Sequence, residues 1–232
     1  MKLIVLLGLI QAKLMSTGYG NNGSATYSIE TSGMIENLQG LISVLGKCSF
    51  PLNEYPFWAA VSSKTYHGAQ YCGTCLEVSN PSDDTTVVVH VVDQCQGCSS
   101  NSINLSLKAF EKLSEKDIGK LAIDWKEVQC PDIQGNIHYH WEKGSTQSFS
   151  AFQIRNHAEP IKGVAYRIDK SKKWIEIPRR SDNFFTLSGI RSPFFVKITS
   201  VSNHTIFDYG LKPNFIGGTV IGHVQFGKVF ME

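Results

Sequence analysis

Long apolar runs and charged residues are both scarce in this sequence. No long apolar run follows Leu3–Ile10, and eight residues are too few for a membrane-spanning helix, which needs about 20. Charged residues make up 18% of the 232, and the formal net charge is only +2. Hydrophobic residues at 42% and aromatic residues at 11% still supply ample core. We therefore expect one large or two small folded domains, with no disorder expected from composition and no spanning helix in the body of the protein.

Cysteine is absent after position 130. The six cysteines are Cys48, Cys72, Cys75, Cys95, Cys98 and Cys130. Two pairs have CxxC spacing with nineteen residues between them, which is close to the spacing of a zinc ribbon. An even number of cysteines behind a leader peptide more often indicates disulfides. The residues alone favour disulfides and leave zinc open, while no βαβ pattern supports a redox-active CxxC.

The first eighteen residues, 1–18, have the pattern of a secretory signal peptide. Lys2 is the positive residue, Leu3–Ile10 is the apolar segment, and Ser16–Gly18 supplies small residues for cleavage. A buried first strand is the alternative. Secretion agrees with three glycosylation triplets, at Asn22, Asn104 and Asn203.

The two halves of the remaining chain differ in charge. Residues 19–132 carry 7 basic and 13 acidic side chains, whereas residues 133–232 carry 13 basic and 7 acidic ones. The first half combines short strands with one helix predicted over Ser106–Leu113. The second half shows only short alternating strands, the spacing of a β-sandwich. We therefore predict two domains, 19–132 and 133–232.

The stretch Thr86–Phe110 is the most informative in the first half. Val87–Val92 lacks alternation and predicts a strand covered on both faces, which delivers Asp93 to the point where regular structure should stop. A tight Cys95–Cys98 loop and a polar segment follow. Asp93 is therefore a candidate for chemistry at a cleft, and its alternative role is to cap backbone amides at a strand end.

Glycoside hydrolysis normally needs two carboxylates. The natural place for a second one, across the loop from Asp93, is occupied by Asn104, and an amide neither donates nor accepts the required proton. This position therefore argues against a hydrolytic pair.

Three further features are ambiguous. His138 and His140 would share a strand face and could hold a metal, but no third ligand is nearby in sequence. Trp174, beside Lys170–Lys173, could contact a sugar polymer, but the favoured interpretation is a core residue next to a turn. Phe149 should point opposite to Phe152, so it either faces out, where it can stack on a sugar ring, or packs in the core.

Short motifs in both halves resemble those of expansins, in order and spacing. The matches in the first half include Tyr71–Val78, Val91–Asp93 and Leu105–Phe110, and those in the second include Gln153–His157, Lys173–Ile175 and Gly222–Phe226. The chain looks like an expansin-like protein over essentially everything after the leader.

This resemblance implies a mainly β protein. Its fold would be a six-stranded double-psi β-barrel related to family 45 endoglucanases, followed by an immunoglobulin-like carbohydrate-binding sandwich. Disulfides Cys48–Cys72, Cys75–Cys130 and Cys95–Cys98 are implied as well. The implied function is that of a secreted, extracellular monomer that grips cell-wall glucan of the cellulose type and loosens it without hydrolysis. No cofactor, metal or nucleic acid is expected, and no membrane contact once the leader is removed.

The resemblance also assigns site residues, with departures from the family pattern. The threonine and first aspartate of the barrel groove fall on Thr26 and Asp93, the second aspartate on Asn104. The groove aromatic falls on Cys95. Of the three aromatics of the cellulose-binding strip, Phe149 remains, while Ser148 and Asp182 replace the others.

We therefore expect a non-enzymatic protein that contacts polysaccharide through Thr26, Asp93, Asn104 and Phe149. A glycan on Asn104 would occupy the groove itself. The alternatives are a matrix structural protein with reduced glucan affinity and an endoglucanase that uses Asp93 with an unidentified acid.

Overall fold

The computed structural model describes residues 20–28, 45–131, 133–168, 173–190 and 193–227. The predicted leader lies outside these residues. Within them the chain is mainly β, as predicted, with fourteen strands and only two short α-helices. None of the helices in these ranges has the length and apolar character that a membrane crossing requires.

The first six strands close into a barrel. They are β1 (Asn21–Ser28), β2 (Trp58–Ser62), β3 (Cys75–Ser79), β4 (Thr86–Cys95), β5 (Ile103–Ser106) and β6 (Leu121–Val128). Their order around the barrel is β1-β5-β2-β4-β3-β6. β1 runs parallel to β5, and β2 runs parallel to β4, while the other neighbours are antiparallel. Each parallel contact joins strands far apart in sequence, so the barrel closes through long-range pairing.

Two helices of four residues each follow barrel strands: α1 (Ser63–Tyr66) after β2, and α2 (Leu107–Phe110) after β5. In each, the hydroxyl of the last strand residue accepts a hydrogen bond from a backbone amide of the first turn, as N-cap serines do. The helix predicted over Ser106–Leu113 is thus much shorter than expected, although Phe110 and Leu113 are buried. Two 3-10 turns, Leu52–Glu54 and Lys116–Ile118, complete this part.

The remaining eight strands form two antiparallel sheets that bury one common core, and we call them the two-sheet unit. They are β7 (His138–Trp141), β8 (Ser150–Arg155), β9 (Ile161–Ile168), β10 (Ile175–Ile177), β11 (Phe185–Leu187), β12 (Phe194–Ser200), β13 (Thr205–Leu211) and β14 (Gly218–Ile221). One sheet has the order β10-β9-β12-β13, the other β11-β8-β7-β14. Tyr139 and Phe152 from one sheet and Val196 and Ile198 from the other lie in the shared core.

Buried hydrogen bonds join the barrel to the two-sheet unit. The amide of Gln153, which is fully buried, donates to the carbonyl of Cys48 at 2.8 Å. Arg179 donates to the carbonyl of Ala69 at 2.8 Å. Because a buried carbonyl without a partner is costly, these side chains satisfy barrel groups that the contact removes from water.

The structure joins Cys48 to Cys72, Cys75 to Cys130 and Cys95 to Cys98, which are the pairs that the resemblance implies. Since all six cysteines form disulfides, they do not form a zinc ribbon here. Cys75–Cys130 closes the longest loop of the three disulfides. It ties β3 to the residues just after β6, and these two strands are neighbours in the barrel.

Candidate functional site

Three of the four predicted contact residues lie in one row across the barrel. Thr26 on β1 is in register with Asn104 on β5, Asn104 with Ala60 on β2, and Ala60 with Asp93 on β4. Residues opposite one another on neighbouring strands project from the same face of a sheet. Ala60, whose small side chain is buried, thus separates Asp93 on one side from Asn104 and Thr26 on the other.

A β-bulge in β4 brings Asp93 to this surface. Ala59 pairs with Val91 but Ala60 pairs with Asp93, so Val92 is an extra residue on β4. Before the bulge, the odd-numbered valines of β4 are buried, and strict alternation would turn Asp93 into the core as well. The extra residue reverses that alternation. The prediction that the strand stops at Asp93 is therefore wrong, because β4 continues to Cys95 and the bulge, not a strand end, exposes the carboxylate.

Asn104 is held by two side chains of β1. Its Nδ2 donates to Thr26 Oγ1 at 3.0 Å, and its Oδ1 accepts from Ser28 Oγ at 2.6 Å. These contacts orient the amide along the barrel surface. Neither Thr26 nor Asn104, the two residues at this end of the row, carries a carboxylate.

Asp93 is hydrogen-bonded to the backbone through one oxygen. Its Oδ1 accepts from the amides of Lys47 at 2.6 Å and Gln94 at 2.8 Å, which is the capping role that the sequence left open. The segment containing Lys47 passes very close to the bulge: a Cβ on Gly46 would lie 2.2 Å from the carbonyl oxygen of Val92. Among the described residues none hydrogen-bonds Oδ2, so this oxygen is the one available to a further donor.

A groove of about 410 Å³ opens beside Asp93 and extends to the two-sheet unit. Its polar lining consists of Lys47, Ser49, Asp93, Gln94, Gln96 and Asp182. Asp182 lies at the far side of the groove. The resemblance identified this residue only as the replacement of an aromatic in the cellulose-binding strip. Asp182 is ion-paired with Arg180, which also contacts Glu142 at 2.9 Å. The second carboxylate of the groove is thus supplied across the contact between the two units.

Tyr66 lies below this groove. Its hydroxyl donates to the carbonyl of Ser181 at 2.6 Å. Burial raises the pKa of Tyr66 well above its usual value, and the charges of Asp93 and Asp182 add to the increase. Both carboxylates therefore act on the same buried phenol, which keeps its proton and serves as a fixed link between the two units.

Phe149 is exposed, and it lies apart from the row on the barrel. Its exposed fraction is 55%, whereas Phe152 is fully buried, which excludes the core alternative for Phe149. A turn closed by Thr146, which accepts from the amide of Phe149 at 3.1 Å, presents the ring to solvent. Phe149 does not line the groove beside Asp93.

The three glycosylation triplets have different surroundings. Asn22 and Asn203 are exposed. At Asn104 the amide nitrogen that would carry a glycan donates to Thr26, so glycosylation there would cost this hydrogen bond.

His138 and His140 share a face of β7, as predicted. Within the ranges that the structure describes, the one set of three potential ligands with metal-site spacing is Cys75, His90 and Cys130. Its two cysteines form a disulfide and are not thiolate ligands.

Trp174 is not a core residue, so the interpretation of Trp174 as a core residue is wrong. It lies on the outer face of the sheet β10-β9-β12-β13, with its ring centroid 5.6 Å from that of Phe207 and 4.9 Å from the guanidinium of Arg167. A tryptophan next to a strand faces either side depending on register, which the sequence alone does not fix.

Comparisons with known proteins agree on the kind of protein. The Barwin family matches residues 47–130. Expansin-YoaJ of Bacillus subtilis is 32% identical over 163 residues, 68% of this chain and 68% of that protein. Expansin-like protein 1 of Dictyostelium discoideum is 26% identical over 193 residues, 81% of this chain and 65% of that protein.

Among solved structures, the apo expansin of Clavibacter michiganensis superimposes with a TM-score of 0.76 at 26% identity. The match covers 91% of this chain and 100% of that one. A point mutant of the same expansin in complex with cellohexaose superimposes with a TM-score of 0.75 at 27% identity. Sequence identity over two thirds of a bacterial expansin, together with a structural match across the barrel and the two-sheet unit, shows that this chain belongs to the expansin family.

Proposed function

We propose that this protein is a secreted expansin that binds cellulose-type β-glucan in a cell wall or extracellular matrix and loosens it without hydrolysis. The row of Thr26, Asn104, Ala60 and Asp93 meets the groove at Asp93, and the groove extends to Asp182; this arrangement is the observation that carries the proposal. Its neutral polar groups and single open carboxylate oxygen suit a chain of sugar hydroxyls. The cellohexaose complex of the Clavibacter expansin supports a ligand of this class.

In this proposal residues 1–18 are a signal peptide, residues 19–132 a double-psi β-barrel, and residues 133–232 an immunoglobulin-like carbohydrate-binding domain. The closed six-stranded barrel and the two sheets with a common core support these assignments. The protein acts as a monomer and needs no cofactor.

Among the described residues of the row and the groove, the lack of a second suitable carboxylate supports a non-hydrolytic function. Retaining and inverting glycosidases place an acid and a second carboxylate on either side of the scissile bond. At Asn104 the amide cannot take either role. Asp182 is bound to Arg180, so it accepts hydrogen bonds from a guanidinium instead of presenting a free acid. Expansins are in general non-hydrolytic as well.

Replacing Asp93 by asparagine tests the barrel part of the site. The amide oxygen can still accept from Lys47 and Gln94, so we expect the free energy of unfolding to change by less than about 1 kcal/mol. Loosening, measured as extension of cellulose-rich strips under constant load, should be lost with the charge. Neither wild type nor variant should release reducing ends from soluble β-glucan.

The matched control is Asp83→Asn. Asp83 is also a surface aspartate whose Oδ1 accepts a backbone amide, that of Thr85 at 3.0 Å, but it lies in a turn away from the groove. If Asp93→Asn loosens cellulose as well as wild type does, the role of Asp93 is only to cap the backbone amides of Lys47 and Gln94. Reducing ends released by wild type and lost in Asp93→Asn would establish an endoglucanase instead.

A second pair of variants tests the polysaccharide contact at Phe149. One stacking ring contributes on the order of 1 kcal/mol, so Phe149→Ala should bind insoluble cellulose about fivefold more weakly in a pull-down. Tyr209→Ala is the control, because Tyr209 is equally exposed, at 53% against 55%, but lies on the other sheet.

If Tyr209→Ala weakens binding and Phe149→Ala does not, the polysaccharide lies on the sheet that carries Trp174. If wild type binds neither cellulose nor chitin, the protein is a matrix structural protein that has kept the fold without the affinity.

A further inference from the structure

A second cavity lies between the barrel and the two-sheet unit, and the groove beside Asp93 shares no lining residue with it. This interface cavity has a volume of about 390 Å³. The barrel contributes Phe50, Glu54 and Tyr55 to its wall, and the two-sheet unit contributes His138, His140 and Arg155. A half-enclosed space of this size at a contact between two units is typical of small-molecule sites.

Strand pairing concentrates nitrogen donors in this cavity. His138 and His140 alternate with a buried tyrosine on β7, so both project from the same face. Arg155 on β8 is in register with His138. Two imidazoles and one guanidinium thus line one patch of the wall, although they come from segments that are separate in sequence.

Arg155 is fixed in place by its neighbours. Its Nε and Nη2 donate to Gln153 Oε1 at 2.9 and 2.6 Å, and Nη2 also reaches the carbonyl of Ser49 at 3.3 Å. The guanidinium lies over the ring of Phe50, 5.2 Å from its centroid. No carboxylate among the described residues forms an ion pair with it, so its charge is directed at the cavity without being neutralised by direct contact.

The two imidazoles retain hydrogen-bonding capacity. His140 Nδ1 lies 3.0 Å from Thr219 Oγ1, which fixes the ring and leaves Nε2 for another partner. Within the described part of the chain, no side chain or backbone group hydrogen-bonds the ring of His138. Burial lowers the pKa of His140 to about 4 and also lowers the pKa of His138, with Arg155 as the second cause in both. Each ring is therefore neutral near pH 7 and offers one N–H.

The guanidinium argues against a metal ion at this histidine pair. A cation beside Arg155 would be repelled, and no third ligand lies at metal-site spacing from His138 and His140 among the described residues. Two N–H donors beside a fixed cation instead favour an acceptor with negative charge. A monoanion matches the single fixed cation, because Glu54 on the opposite wall disfavours a more highly charged ligand.

We propose that the interface cavity binds the carboxylate of a small polar molecule, with Arg155 as the cation and His138 and His140 as hydrogen-bond donors. The carboxylate would belong either to a uronic acid sugar or to a free organic acid. Phe50 and Tyr55 supply an aromatic wall for the rest of the molecule.

The test is a titration of the isotope-labelled full chain with sodium glucuronate, followed through the imidazole signals in NMR spectra. Glucose is the matched neutral probe, and sodium acetate and inorganic phosphate are the anion probes. We expect glucuronate to shift the signals of His138 and His140 and to leave that of the exposed His204 unchanged. His140→Ala, which removes one hydrogen-bond donor, should weaken glucuronate binding by about five- to tenfold, while His204→Ala should not change it.

Proton uptake gives an independent readout. The titratable groups lining the cavity are Glu54, Tyr55, His90, His138, His140 and Arg155. A bound carboxylate favours protonated imidazoles, so glucuronate should bind more tightly as the pH falls from 7 to 5. This pH dependence should be smaller in His140→Ala, a result that a purely structural role of His140 would not produce.

The outcomes separate the two sources of the carboxylate. Tighter binding of glucuronate than of acetate identifies a uronic acid site, and equal binding identifies a site for free carboxylic acids. The proposal is overturned if neither anion shifts the two histidines, if glucose shifts them as strongly as glucuronate, or if phosphate binds more tightly than both carboxylates.

Discussion

Removing the Cys75–Cys130 disulfide with the double variant Cys75→Ala/Cys130→Ala should lower the free energy of unfolding by about 4 kcal/mol. The two cysteines are 55 residues apart, so the bridge removes much conformational entropy from the unfolded chain. It also ties β3 to the end of β6, its neighbour in the barrel. Urea unfolding of wild type and variant, followed by tryptophan fluorescence, measures the difference.

The Cys95–Cys98 disulfide provides the matched control. Its cysteines are only 3 residues apart, so removing it should cost about 1.5 kcal/mol by the same relation. Both double variants delete the same atoms, and only the size of the closed loop differs. Equal losses in the two variants would show that local geometry, not chain entropy, determines the contribution of each bridge.

Acidification from pH 7 to pH 4 should remove about 3 kcal/mol of stability through His157 alone. Burial, with the charge of Arg179 as the second cause, lowers the pKa of His157 to about 4. Between this pKa and the ordinary value near 6.5, the unfolded chain binds a proton that the folded chain does not. The contribution of His157 to the free energy of unfolding is therefore fully present above about pH 6.5, and it is lost as the pH falls towards 4.

The variant His157→Gln isolates this contribution. Glutamine can still donate to the carbonyl of Glu159, which His157 Nδ1 approaches at 2.8 Å, but it does not titrate. The free energy of unfolding of the variant should depend less on pH than that of wild type over this range. The same pH dependence in wild type and His157→Gln would contradict the assignment.

His157 links this pH dependence to the contact between the two units. A Cβ on Gly73 of the barrel would lie 2.7 Å from Nε2 of His157, so the imidazole is packed directly against barrel backbone. Protonation would place a charge in this contact, near Arg179. We therefore expect acid to weaken the contact between the barrel and the two-sheet unit. The groove and the interface cavity both lie at this contact.

The candidate site was predicted from the sequence only in part. Thr26, Asp93 and Asn104 were assigned through short motifs, and the structure brings them into one row. Asp182 was identified only as the replacement of an aromatic residue. Its place in the groove depends on how the two-sheet unit packs against the barrel, which involves residues about ninety positions away in sequence.

The interface cavity was not predicted. The sequence placed His138 and His140 on one strand face, but Arg155 belongs to another strand and the aromatic wall to the barrel. The signal that could have pointed to it is the pairing of β7 with β8. Both strands carry side chains with nitrogen donors, and the pairing brings His138 opposite Arg155.

The sequence by itself determined the mainly β class, membership in the expansin family, and the amide at Asn104 that excludes a carboxylate pair along the barrel row. These properties depend on residue identity and on patterns a few residues long, which the chain carries whatever its fold. Only the tertiary structure decided which way Asp93 and Trp174 face and which residues meet between the two units. The stretch Thr86–Phe110 shows the reason: one extra residue, Val92, reverses the direction of every side chain after it, and only pairing with β2 reveals that it is extra.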